Sequence, residues 1–158
     1  MLKIKQATQE HINPIIELWK NLMAIHKELD LVFFSSTEQF VDEYKFEIEN
    51  SIDAHEKTIF IATDNDKLIG YVTVEIVRFS HLPYNLYPHC SIGDIMIEEE
   101  YRNNGIGKKI LEEIKKWAKS HETYKIETNV FSKNKSAYTF FKNQGFEEQF
   151  HKLSIDFK

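Results

Sequence analysis

The stretch from Ile92 to Lys119, IGDIMIEEEYRNNGIGKKILEEIKKWAK, constrains the fold of this chain more than any other. It reads as an apolar strand from Ile92 to Ile97, an acidic turn, a glycine loop and a long helix. Ile106, Ile110, Ile114 and Trp117 recur at spacings of four, four and three, which is one face of an α-helix. Lys115, Lys116, Lys119 and His121 gather near its carbonyl end, where cations suit the dipole.

The junction between strand and helix is Arg102, Asn103, Asn104, Gly105, Ile106, Gly107 and Lys108. Two glycines at i and i+2 let the backbone turn sharply and approach a ligand with no Cβ in the way. A helix that starts here leaves its first amide N–H groups unpaired. With the helix dipole they suit a phosphate or pyrophosphate, and Arg102 and Lys108 can add charge-assisted bonds. The competing reading is a plain strand-to-helix turn with glycines for tightness. Two familiar phosphate loops are excluded: Ile110 stands where G-x-G-x-x-G needs its last glycine, and no G-x-x-x-x-G-K-[ST] occurs.

At 158 residues, the chain is expected to form one domain over 1–158. A net charge of −5 argues against nucleic-acid binding through bulk electrostatics. Cys90 is the only cysteine, which excludes a disulfide framework and a cysteine-rich metal site, and a reducing cytoplasm is the simplest home. No apolar run approaches the length of a membrane span, and Met1 to Lys5 enters a strand pattern with no signal-peptide core.

Leu2 to Ala7 alternates as a strand does. Asn13-Pro14 then reads as a helix N-cap and first position, with Ile15, Leu18, Leu22, Ile25 and Leu29 as the buried face and His26 on that stripe. Ser36-Thr37-Glu38-Gln39 reads as a capping box before a second helix carrying Phe40, Tyr44 and Ile48. Phe33 and Phe34, between the helices, are candidates for substrate contact or for interhelical core. Residues 58–63 and 68–77 form a hairpin around Asp64 to Lys67. On its second strand Tyr71, Thr73, Glu75 and Val77 share one face, so Glu75 is either a surface carboxylate or a site group.

The 79–90 connection, rich in aromatic residues, histidine and proline, is weighed equally as substrate contact and dimer contact. His81 and His89 in it have no nearby third ligand, so no metal site is expected. A strand from Tyr124 to Val130 follows, with Glu127, Asn129 and Phe131 on one face. A short helix from Asn134 closes at Gly145, and the alternating tail from Phe146 to Phe157 is expected to form a closing antiparallel hairpin.

Two motifs now stand in order: R-x-x-G-x-G at Arg102 to Gly107, and N-x-x-A-x-x-F-F-x-x-x-G-F from Asn134 to Phe146. Together they resemble the acetyl-CoA loop and the following helix of the GCN5-related N-acetyltransferases, the GNAT superfamily. The element order matches over essentially the whole chain. The resemblance implies an α/β (α+β) fold with a mixed, mostly antiparallel central sheet, helices on both faces, and splayed strands 4 and 5 forming the acetyl-CoA cleft. It implies that main-chain groups of Ile95, Met96 and Ile97 pair with the pantetheine arm. Amides from Arg102 through Asn103, Asn104, Gly105, Ile106 and Gly107 to Lys108 would hold the pyrophosphate, and Asn134 would bond the cofactor. The expected reaction is acetyl transfer to a primary amine of a small molecule or peptide, by direct attack in a ternary complex and without a metal.

One departure matters. The tyrosine that usually protonates the departing thiolate falls on Phe141, which has no proton to give. Tyr138, three residues back, lies about 60° round the helix and is an alternative acid. For the base, Asp94 has the best position, on the central strand beside the cofactor segment, with Glu75, Glu127 or water as alternatives and a structural role for Asp94 equally open. Phe141 also favours a competing reading, a catalytically weak acetyl-CoA-binding sensor or scaffold. A dinucleotide-binding oxidoreductase domain lacks its fingerprint glycine.

Overall fold

In a computed structural model of the chain the elements run β1 (Leu2–Gln6), α1 (Ile12–Leu29), α2 (Val41–Ser51), β2 (Lys57–Asp64), β3 (Lys67–Val77), β4 (His89–Ile97), α3 (Ile106–Ser120), β5 (Lys125–Thr128) and α4 (Lys135–Asn143). The structure describes residues 1–34, 37–78, 87–155 and 157. The strands form one sheet in the order β1-β2-β3-β4-β5, antiparallel except for the parallel β4–β5 pair. The β2–β3 hairpin turns on Asn65 and Asp66, both at positive φ, as two-residue hairpin loops require.

Each face of the sheet carries its own core. Val72, Val74 and Ile76 of β3 pack with Phe60, Cys90, Ile92 and the α3 residues Ile106, Ile110, Leu111 and Ile114, and Phe141 of α4 joins them. Tyr71 and Met96 pack on the other face with Ile59 and Ile61, under Ile15, Leu18, Trp19 and Leu22 of α1 and Ile48 of α2. The alternation along β3 is therefore the one its sequence predicts.

The structure corrects three boundaries and removes one element. Strand β5 runs over Lys125–Thr128 only, rather than from Tyr124 to Val130. Helix α1 begins at Ile12 rather than at Pro14, because Thr8 and His11 form a capping box on the turn before it. Pro14 lies in the first turn, where no intrahelical N–H is needed. Strand β4 takes in His89 and Cys90, which the sequence placed in the connection. The expected closing hairpin is absent among the described tail residues: they form no strand, and Phe150, Leu153, Ile155 and Phe157 are exposed. An alternating segment needs a partner, and a two-stranded hairpin with no packed face is marginal. Ser36 of the expected capping box lies outside the described residues, as do residues 79–86 of the long connection.

Candidate active site

The site begins with an irregularity in β4. Val72 pairs with Ile95 but Val74 pairs with Ile92, so Gly93 and Asp94 together face Thr73. This is a β-bulge. It inverts the strand's alternation: Ile92 points to the α3 side, whereas Met96 lies under α1 and α2. Asp94, two residues before Met96, shares the α1/α2 side. The bulge is fitted to its residues. A Cβ on Gly93 would come within 2.6 Å of Thr73 Oγ1, and the Asp94 N–H donates to that hydroxyl at 2.9 Å.

Asp94 is half-buried, and burial raises its carboxyl above the usual carboxylate range, opposed by a hydrogen bond from the Tyr44 hydroxyl. The Tyr44 and Tyr71 hydroxyls lie 3.1 Å apart. With its proton on Asp94, Tyr44 is left to accept from Tyr71, so the two phenols form a short chain ending on the carboxylate. Burial pushes both phenols well above their ordinary value, which keeps them protonated donors. Trp19 stacks on Tyr44 at 4.4 Å and fixes its ring. His26 faces Asp94 from α1; burial lowers its pKa despite the pull of the carboxylate, so the ring is neutral near pH 7. Its Nδ1 is buried with no hydrogen-bond partner among the described residues.

The alternative carboxylates are otherwise engaged. Glu75 pairs with Lys57 at 3.3 Å. Glu127 pairs with His89 at 3.2 Å and also with Lys125, on the part of β5 still hydrogen-bonded to β4. Tyr138 is exposed and its hydroxyl bonds Glu148. Phe141 is buried, with Phe140 and Phe146 each 5.1 Å from its ring. Asn134 accepts the Ala137 N–H at 3.0 Å and so caps α4, which leaves its amide NH₂ as the group able to donate to a ligand.

Beside Asp94 the sheet opens. Strand β5 pairs with β4 only as far as Ile92↔Thr128, so the run Ile95, Met96, Ile97 has no β5 neighbour. Arg102 closes the far end, its Nε donating to the Ile97 carbonyl at 2.9 Å. Gly105 then starts α3 at φ 75°, with no side chain capping the first turn. A Cβ there would meet nothing within 4 Å, so the turn that leads into α3 is open on that side. Such an end fits a pyrophosphate.

Gly107 also has a packing reason to lack a side chain. It is buried, and a Cβ on it would lie 2.8 Å from the Phe140 ring. It lets α3 and α4 touch. Gly107→Ala is expected to lower stability by about 1–3 kcal/mol, the usual cost of overpacking, seen as a reduced Tm. An unchanged Tm would show that the Phe140 ring moves aside freely.

The Acetyltransferase (GNAT) family model matches residues 19–146. The chain belongs to the GNAT acetyltransferase family. It is 22% identical over 146 residues to an uncharacterized N-acetyltransferase of Methanocaldococcus jannaschii, covering 92% of this chain and 61% of that protein. The chain thus spans about three-fifths of the length of that relative. Its fold is similar to a mutant of the BH1408 protein from Bacillus halodurans, with a TM-score of 0.86, 22% identity, and 99% of each chain covered. It is also similar to AAC(6')-Iy in complex with a bisubstrate analog, CoA-S-monomethyl-acetylneamine, with a TM-score of 0.75, 16% identity, and 100% and 99% covered.

Within this GNAT chain, sequence reasoning missed Tyr44 and Tyr71 as site residues, taking them as one member of a helical stripe and one of a strand face. A signal existed. A tyrosine on a core-facing position must find a partner for its hydroxyl, and two such tyrosines facing the strand of Asp94 can find one another. Among the described residues no helix is long and apolar enough to cross a membrane.

Proposed function

We propose that this GNAT chain transfers an acetyl group from acetyl-CoA to the primary amine of a small molecule or peptide. The observation that carries the reading is the placement of Asp94. A half-buried carboxylate, held by the Tyr44 hydroxyl, stands at the bulge where β4 parts from β5 and immediately before the open run Ile95 to Ile97. The family membership and the uncapped start of α3 support it.

In this reading the main-chain groups of Ile95, Met96 and Ile97 take the pantetheine arm as a further strand. The amides from Arg102 to Lys108 hold the pyrophosphate, and the Asn134 amide donates from the other wall. The thioester supplies the reactive acyl carbon. Asp94 takes a proton from the acceptor ammonium and frees its lone pair, directly or through one water. As the new N–C bond forms the C–S bond breaks; the nitrogen gives up its second proton to water, and water returns one to the departing thiolate. Phe141 has none to give, and the Tyr138 hydroxyl is bonded to Glu148.

The glycine loop supplies the test. Gly105→Val places a β-branched residue at φ 75°, a conformation such residues rarely adopt, at the turn that sets the first amides of α3. Affinity for acetyl-CoA is expected to fall at least tenfold by calorimetry, about 1.4 kcal/mol, with a native-like circular dichroism spectrum. Unchanged affinity would remove the loop from the reading. Acetyl-CoA binding without thiol release across a broad amine panel would favour a sensor or scaffold.

A further inference from the structure

The wall facing Asp94 carries a second message. His26 stacks on Phe34 at 4.7 Å. Phe34 meets Phe33 at 4.9 Å and Phe131 at 5.1 Å, both edge-on, and Phe33 stacks on Phe131 at 5.3 Å. The three phenylalanines come from opposite sides of the cleft, two from the segment after α1 and one from the segment after β5. Asp30 ties those segments together: it accepts the Phe33 N–H at 3.1 Å and pairs with Lys133 at 2.7 Å. Phe33 nonetheless leaves 68% of its surface exposed. An aromatic ring clamped in place yet open to solvent is a ready-made contact surface.

Charge then narrows what would lie on it. Asp30 is paired with Lys133, Glu75 with Lys57, and Glu127 with Lys125 and His89. Of these described carboxylates around the cleft, only Asp94 has neutral partners, Tyr44 and a neutral His26. The site therefore offers one uncompensated negative charge beside an aromatic surface. A ligand with several ammonium groups would leave all but one without an anion.

We infer that the acceptor is a primary monoamine with an aromatic or similarly apolar arm, its ammonium on Asp94 and its arm against Phe33, Phe34 and Phe131. This rests on the acetyltransferase reading above. It adds a substrate class, which neither the family nor the fold assigns.

The experiment measures kcat/KM by thiol release with phenethylamine, propylamine, spermidine and kanamycin. Phenethylamine should exceed propylamine by about tenfold and the two polycations by more. Phe33→Ala, at an exposed position whose loss leaves the core intact, should raise KM for phenethylamine about tenfold with kcat little changed. Propylamine, too short to reach the ring, should change by less than about twofold. Preference for spermidine or kanamycin, or an equal effect of Phe33→Ala on both monoamines, would overturn the assignment while leaving the acetyltransferase reading standing. No transfer to any amine would overturn both.

Discussion

Asp94→Asn is expected to lower kcat by about 10²–10⁴-fold, the range for a lost general base, and at the same time to raise Tm at neutral pH. The two effects share one cause. Burial lifts the Asp94 pKa in the folded protein above its unfolded value. A group shifted in that direction stabilises the fold at low pH, where it is neutral in both states. The contribution is lost as pH rises through the folded pKa, because the charged form must then be held in a half-buried site. Asparagine keeps the shape and can still accept from Tyr44, without the charge. The Tm gain should therefore be present at pH 7 and vanish below about pH 3, under the ordinary carboxylate value. In the parent the ascending limb of kcat/KM should titrate above that ordinary value for the same reason. A variant as active as the parent across pH, or one less stable at pH 7, would make Asp94 a structural carboxylate.

The second large effect concerns Cys90, which is fully buried in the core beneath α3. Burial pushes its thiol up to about 12, with the charge of Glu75 adding to the shift. At pH 8 the thiolate fraction is then on the order of 10⁻⁴, against roughly a quarter for an unperturbed thiol. Reaction of the native protein with a disulfide reagent should be slower by at least about 10³-fold than that of an exposed cysteine, and should become stoichiometric in denaturant. A rapid burst from the native protein would contradict the packing of β4 against α3. The expected silence has a practical use, since a thiol-release assay would then read the released cofactor thiol alone.

Much of the fold was legible because β3 and α3 obey simple periods. Tyr71 separates from Val72, Val74 and Ile76 by alternation alone, and Ile106, Ile110 and Ile114 fall on one stripe. Strand β4 was legible as a strand but not in its facing. Strict alternation puts Ile92, Asp94 and Met96 on one side, and the bulge sends Ile92 to the other. The sequence does carry a mark of this, a glycine inside an apolar strand, which points to a bulge or a close backbone approach. The partners of Asp94 could not be read in the same way. Tyr44 lies 50 residues upstream of it and Tyr71 lies 23, and only the packing of α2 over the sheet brings the three together. Gly107 was half legible: its lack of a Cβ was visible, but not that Phe140 of α4 uses the space.

The early end of β5 has a consequence for handling the protein. From Asp94 to Ile97, one margin of β4 presents main-chain donors and acceptors in the middle of the sheet, where most folds conceal them. Apart from the Ile97 carbonyl bonded by Arg102, these groups meet no neighbouring strand on that side among the described residues. Such a margin is a template for any extended peptide, including the alternating tail of another copy, in which Leu153, Ile155 and Phe157 stand exposed. A pantetheine arm lying there would do more than deliver a thioester. It would act as a removable strand, protecting the chain from self-association whenever the acyl donor is abundant and exposing that liability when it is scarce.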